Sequence, residues 1–430
     1  MIIVFVMDSY GLLNNGTSAT AQRFADELRK MGHTIRVLGV ESEKFKDDPN
    51  YFGLEHFNLP VFQPLVDSQG FAFAKWNDVE KISQAIKGAD IVHLFLPFPL
   101  ENKARLIAQE LGVPVTGAFH LQPENITYTI YLGKSKAANN LLYRYFYTYF
   151  YKYIKHVHCP SKMMADELIK HKYKNCVPHP ISNGVSEIFR PIESVKPDEL
   201  KDKFVILMIG RLSREKRQDL IIKAISKSKY KDKIQLILCG QGPYYSKLQK
   251  LSDELLTNKV IFRFVKQDEL LKIINYSDLY IHASDAESEA IACIEAFSCG
   301  IVPVISDSSL SATNQFALDK QCLFKHGNPQ SLANQIDYFI EHEDFKKELS
   351  KKYIEYSKEF RLEAQVKRLE KVFETAIQEH KEGKDLPNLT PSKWDEYKMK
   401  KIKKIIEKKF DVSIEEFAKV ETEEVKKEDK

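Results

Sequence analysis

Short runs of consecutive apolar residues alternate, over roughly the first 380 positions, with longer segments whose apolar residues recur every three or four places. A strand buried on both faces reads as an unbroken apolar run, and a helix lying on a sheet shows one apolar stripe. The runs predict strands at Ile2–Met7, Thr34–Gly39, Asp90–Leu94 and Val113–Phe119 in the first half of the chain. In the second half they predict strands at Phe204–Gly210, Ile234–Cys239, Leu279–His282 and Ile301–Ile305. A helix follows most of them; Ser18–Met31, closed by Gly32, is the clearest. Strands alternating with helices make a parallel sheet covered on both faces, and here the pattern occurs twice.

Asn183-Gly184-Val185-Ser186, Phe189-Arg190-Pro191 and a polar stretch to Lys203 interrupt the pattern. They predict a first α/β domain over 1–194 and a second over 195–360, two Rossmann-like, doubly wound domains facing across a cleft. A helix over 361–380 leads back towards the first domain, and 381–430 form a helical, Lys/Glu-rich extension after the break at Lys381–Pro391. Ligands of such sheets bind beyond the carboxyl ends of the strands, so the cleft is the expected site.

Composition narrows the function. Of 430 residues, 43% are hydrophobic and 29% charged, which fits a globular protein, and a net charge of +4 excludes a general nucleic-acid binder. Six cysteines lie scattered without metal-like pairing, as suits a reduced cytoplasmic setting. The apolar start MIIVFVMDSYG has neither the length nor the basic flank of a secretion signal, and no run approaches a membrane span.

Two groups of residues carry chemistry. Glu287 and Glu295, separated by seven residues after the strand Leu279–His282, place one carboxylate in a loop and the other about one turn inside the next helix. Helical side chains lean towards the amino end, where free N–H groups and the dipole attract a diphosphate. Two surface glutamates would show the same spacing. Gly210-Arg211-Leu212-Ser213-Arg214-Glu215-Lys216 follows the strand Phe204–Ile209, so Arg211 and Lys216 can clamp a diphosphate and stabilise its departure. A solvated basic turn is the plainer alternative. Cys239-Gly240-Gln241-Gly242-Pro243 reads as a tight turn. Asn14-Asn15-Gly16-Thr17-Ser18 links the first strand to its helix, with Gly16 open to close backbone approach, and His120 ends the strand Val113–Phe119.

These motifs, in this order, together with Met31-Gly32-His33, Asp90-Ile91-Val92-His93, Cys159-Pro160-Ser161 and Ile181-Ser182-Asn183-Gly184-Val185, resemble the retaining family 4 glycosyltransferases of GT-B fold over about residues 1–380. His120-Leu-Gln-Pro-Glu-Asn125 is similar to a loop of bacterial diacylglycerol glucosyltransferases. The resemblance implies that Arg211 and Lys216 bind the donor diphosphate and Glu295 the ribose hydroxyls. It implies that Glu287 contacts the donor sugar, with backbone amides from Ser288 through Glu289, Ala290 and Ile291 to Ala292 holding hydroxyls and phosphate. Gly16 would meet the phosphates and His120 the transferred sugar, the latter counted with Glu287 as catalytic. It implies a nucleotide-sugar donor, UDP-linked by family frequency, and no cofactor or metal. The family often has Gly-Gly where this chain has Asn15-Gly16, and Phe-Gly where it has Glu289-Ala290; an acidic Glu289 beside the sugar would alter donor or acceptor preference.

The acceptor is addressed by two segments. YRYFYTYFYKY at 143–153 holds eight aromatics, which suit either a membrane interface or a core helix. In the extension, Trp394, Tyr397, Ile402, Ile405, Ile406 and Phe410 share one helical face, with lysines over much of the rest; 392–410 can bind an anionic membrane, remain solvated or dimerise. The residues after 418 have the composition of a disordered tail. The expectation is therefore hexose transfer from a nucleotide sugar to a lipid or lipid-linked acceptor, in the cytoplasm or at the inner face of the plasma membrane. The alternatives are a soluble transferase or phosphorylase of the same fold with a sugar or protein acceptor, and a non-catalytic membrane-associated scaffold.

Overall fold

The computed structural model describes residues 1–11, 16–58, 60, 63, 71–129, 132, 135–384 and 393–419. Contacts divide them into two compact units: Met1–Ile181 with the described residues from Val366 onward, and Ser182–Gln365. The polar stretch Ser182–Ser194, grouped with the first domain on sequence pattern, packs with the second unit. Val185 pairs with Arg361, and Phe189 is buried in that unit's core.

In the first unit, β1 (Ile2–Val6), β2 (Thr34–Val40), β3 (Tyr51–Leu54), β4 (Ile91–Leu94), β5 (Val115–Ala118), β6 (His156–Cys159) and β7 (Val177–Pro180) form a sheet in the order β3-β2-β1-β4-β5-β6-β7. Every pairing is parallel; Ile3, for example, lies between Ile35 and Ile91. In the second unit, β8 (Phe204–Ile209), β9 (Ile234–Cys239), β10 (Ile261–Arg263), β11 (Leu279–His282), β12 (Pro303–Ser306) and β13 (Leu323–Phe324) take the order β10-β9-β8-β11-β12-β13, again all parallel. In each sheet the order reverses beside the first strand, and the loops that leave the strands there diverge to opposite faces. The loops after β8 and β11 are the two that carry Arg211, Lys216 and Glu287.

The apolar runs became strands because helices cover both faces: β4, β6, β9 and β11 are buried throughout. The pattern missed the interior strand His156–Cys159, whose two histidines break its apolar run, and otherwise missed edge strands. Val177–Pro180 contains two prolines, which an edge strand tolerates and an interior one does not.

The helix Leu362–Lys381 carries the chain back into the first unit, where Val366, Leu369 and Phe373 are buried. Its Glu370 meets His33 Nε2 at 2.7 Å, and its Glu379 meets His156 Nε2 at 2.8 Å. The helix Lys393–Phe410 follows and lies on the helices Val79–Ile86 and Pro99–Glu110 of the same unit.

That placement corrects the view of the extension as one free apolar face. Ile402 and Ile406 are buried in the first unit's core, joined by Ile414 and Phe417 from the helix Ile414–Lys419, and Phe410 packs on Phe417 at 4.4 Å between ring centres. Tyr397 and Ile405 remain exposed, at 58% and 37%. The side chain of Trp394, residues 385–392 of the break and the tail from 420 lie outside the described residues. Ile406→Ala is expected to cost about 2–5 kcal/mol, read as a lowered thermal midpoint, because it empties a filled core position.

The aromatic run is likewise mainly core. Tyr143, Phe146, Phe150 and Tyr151 are buried, with the Tyr151 hydroxyl donating to the Ala118 carbonyl at 2.8 Å; Tyr145 is exposed and stacks on Tyr149. Among the described residues no helix is long and apolar enough to cross a membrane.

Candidate active site

The site of the second unit begins where β8 ends. Gly210 turns the chain at φ +151°, and the loop Arg211–Arg217 is pressed onto the turn that follows β9. A Cβ on Gly240 would stand 2.0 Å from the Gly210 carbonyl oxygen, and one on Gly242 would stand 2.2 Å from that of Leu212. The glycines of the Gly-Gln-Gly-Pro turn thus allow two backbones to touch. Leu212 N–H donates to the Gln241 carbonyl at 2.9 Å, and Tyr244 N–H donates to that of Leu212 at 3.0 Å. From the other side the buried Gln218 donates to the Arg211 carbonyl at 2.8 Å. The backbone of Arg211 is therefore held on both flanks. Gly242→Ala is expected to push this loop aside, weakening nucleotide binding at least tenfold and lowering the thermal midpoint, as calorimetry and a melt would register.

The loop ends in a short 3₁₀ turn, Arg214–Lys216, and Arg217 in the left-handed region at φ +55°. Arg217 earns that conformation with two ion pairs, Nε to Asp219 and Nη1 to Asp285, both at 3.1 Å. Asp285 N–H also donates to the Glu215 carbonyl at 2.7 Å, which ties the loop after β8 to the loop after β11.

Lys216 Nζ hydrogen-bonds Glu287 Oε1, and His282 Nε2 reaches the same oxygen at 3.1 Å. Burial pushes the Glu287 carboxyl up, but the Lys216 charge and the His282 hydrogen bond outweigh it and hold the group well below the usual carboxylate range. An ionised carboxylate only accepts, so His282 Nε2 carries the proton. The other ring nitrogen, Nδ1, lies 3.1 Å from the Tyr280 hydroxyl. Tyr280, His282, Glu287 and Lys216 form one chain of hydrogen bonds from the core of β11 outward.

Glu287 is fixed in addition by backbone pairing of Ala286–Glu287 with Leu310–Ser311. Ser288 is partly exposed, and Ala290 is left-handed at φ +72° before the helix Ile291–Ser298. Ile291 and Ala292 lie partly exposed at the amino end of that helix, and Glu295 sits one turn inside it, also partly exposed. Glu289 differs from its neighbours. It is 2% exposed, and its Oε2 accepts the Asn183 N–H at 3.0 Å.

Gly16 and His120 belong to the first unit. Gly16 opens the helix Gly16–Lys30 and is exposed, and a Cβ there would meet no atom within 4 Å; Asn14 and Asn15 lie outside the described residues. His120 follows β5 and is 6% exposed, its ring stacked on Phe95 and edge-on to His158 at 4.9 Å between centres. Its Nε2 has no hydrogen-bond partner among the described residues. Burial, aided by the nearby His158 and His93, holds its pKa well below the ordinary histidine value, so the ring is a neutral donor and acceptor. The carboxyl edge of the same sheet holds a buried acid pair. Asp8 accepts the Ala74 N–H at 2.6 Å, while its other oxygen and both Glu101 oxygens meet no donor among the described residues.

Sequence reasoning left out His282, Tyr280, Arg217 and Asp285. His282 carried a signal, since it closes a strand five residues before Glu287, but a histidine there also reads as core.

Two family models match in succession: Glycosyltransferase Family 4 over residues 14–187 and Glycosyl transferases group 1 over residues 189–360. The chain belongs to the family 4 glycosyltransferases. This glycosyltransferase is a hexosyltransferase that takes its sugar from a nucleotide sugar. It is 25% identical over 320 residues to the alpha-monoglucosyldiacylglycerol synthase of Streptococcus pneumoniae, covering 71% of each chain. It is 23% identical over 323 residues to the enzyme of the same name from Acholeplasma laidlawii, covering 71% of this chain and 80% of that one. Among solved structures, HepE of Anabaena in complex with UDP-glucose is 18% identical with a TM-score of 0.68, over 87% of the glycosyltransferase and all of that chain, and shares the GT-B fold.

Proposed function

We propose that this glycosyltransferase moves a hexose from a UDP-sugar, with retention of anomeric configuration, to a lipid or lipid-linked acceptor at the cytoplasmic face of a membrane. The observation that carries the reading is the contact of Lys216 with an ionised Glu287, in the loops that lead to the amino end of the helix bearing Glu295. A site that releases a nucleoside diphosphate has to stabilise growing negative charge on the leaving group. Arg211 and Lys216 supply fixed positive charge, and the amides of Ser288 to Ala292 supply donors aimed along the helix dipole. Glu295 is assigned the ribose hydroxyls and Glu287 the donor sugar. His120, neutral and with Nε2 unpartnered, is assigned a hydroxyl of the transferred sugar. Metal chemistry is not part of this assignment, so transfer should persist in excess chelator.

The lipid acceptor is supported by the two relatives named as diacylglycerol glycolipid synthases. A membrane surface is supported by Lys400, Lys401, Lys404 and Lys408, which lie exposed on one face of the docked helix and make no ion pair among the described residues. At about 1 kcal/mol per lysine, such a face holds an anionic bilayer without inserting into it.

The test incubates the full chain with a panel of UDP- and GDP-sugars and diacylglycerol in anionic vesicles. The expected product is a glycolipid whose anomeric linkage, read by NMR, matches that of the donor. A folded chain that transfers sugar from no nucleotide sugar overturns the reaction. Transfer to soluble glycans only, with no vesicle binding, overturns the acceptor.

A further inference from the structure

Glu289 is the one carboxylate of the Glu287–Glu295 stretch whose side chain is fully buried. A buried carboxylate is costly unless N–H donors compensate it, and the Asn183 N–H does so at 3.0 Å. The segment that supplies this donor is itself rigidly held. Ser182 N–H donates to Gln365 Oε1 at 3.1 Å, and Gly184 N–H to Ser182 Oγ at 3.1 Å. Val185 exchanges backbone hydrogen bonds of 2.8 and 3.0 Å with Phe360 and Leu362. Gly184, at φ +70°, lies so close to Leu362 that a Cβ would stand 2.7 Å from its Cα.

The partner of that rigid segment is strained. Ala290 adopts a left-handed conformation that an L side chain resists, and its carbonyl then accepts the Cys293 N–H to start the helix. Something outside the loop has to hold it. Resting on the functional reading above, we infer that Glu289 is a positioning residue for the donor. Its bond to Asn183 braces Ser288–Ala290 in the bent form that turns the Ile291 and Ala292 amides towards the diphosphate. The anchor is held by Gln365, Phe360 and Leu362, so its amide gives the loop a fixed point.

Two consequences are measurable. Glu289→Leu keeps bulk but removes the acceptor, and it should weaken UDP binding at least tenfold by calorimetry. Glu289→Gln retains an acceptor oxygen and should recover most of the affinity. Adding Ala290→Gly to Glu289→Leu should recover it too, because glycine enters the left-handed region unaided. A purely structural role would lower the melting temperature but would not give this rescue. Coupling is reciprocal, so in the parent UDP should slow hydrogen exchange at the Asn183 amide at least tenfold, a measurement that stands even if Glu289→Leu fails to fold. Parent-like UDP affinity in Glu289→Leu, failure of Ala290→Gly to rescue, or unchanged Asn183 exchange would each overturn the inference alone. A parent that binds neither UDP nor GDP would overturn the functional reading and this inference with it.

Discussion

Lys216→Ala is expected to lower kcat by about 10²–10³-fold, the loss typical of deleting one preorganised group that stabilises transition-state charge. The same change should destabilise the fold. Glu287 is nearly buried and owes its low pKa to Lys216 first and His282 second among the groups that oppose burial. Removing one partner of such a pair costs about 3–5 kcal/mol, whereas replacing both with neutral groups of similar shape costs little. The double variant Lys216→Met/Glu287→Gln should therefore regain most of the parent's thermal midpoint and none of its activity. That split separates the ion pair's structural part from its chemistry. A Lys216→Ala enzyme within tenfold of the parent's kcat would remove Lys216 from the site.

The second large effect concerns pH. Asp8 and Glu101 are both buried and face each other with too few donors. Burial raises Asp8 from 3.8 to about 7, and burial with the Asp8 charge raises Glu101 well above its ordinary value. Below about pH 4 the folded and unfolded chains both hold these protons, and the pair costs nothing. As pH rises from there to about 7, the unfolded chain releases protons that the fold retains, so stability falls with pH. Three pKa units correspond to about 4 kcal/mol. Glu101→Gln gives Asp8 an amide donor and removes the competing carboxyl. Its melting temperature should match the parent's at pH 4 and exceed it by about 5–10 °C at pH 8, from about 2–3 kcal/mol at 2–4 °C per kcal/mol. Parallel melting curves across that range would show that the pair does not govern the pH response.

How far the sequence could be read depends on what kind of information each feature needs. The strands Ile234–Cys239 and Leu279–His282 were legible to the residue, because burial on both faces makes each a nearly unbroken apolar run. Val177–Pro180 was not, since an edge strand with two prolines carries no such mark. Lys216 and Glu287 could be proposed together from motif order, but their contact could not, nor could His282 beneath them. The Gly-Gln-Gly-Pro turn was legible as a turn; its reason, the close passage of the Arg211 loop, lies 30 residues away in the chain. The extension shows the commonest limit. Periodicity put Ile402 and Ile406 on one face and left that face to a membrane, solvent or a second chain, whereas the protein itself covers them.

The first unit is assembled from two segments that flank the second in the chain, and this orders events on the ribosome. Its sheet is complete by Pro180, yet the residues that close over Val79–Ile86 and Pro99–Glu110 run to Phe417. At about 5–20 residues per second, the nascent sheet waits roughly 10–50 s with that apolar patch open while the entire second unit is translated. The apolar patch thus stays uncovered through about half of synthesis, and a chain truncated before residue 393 is expected to aggregate.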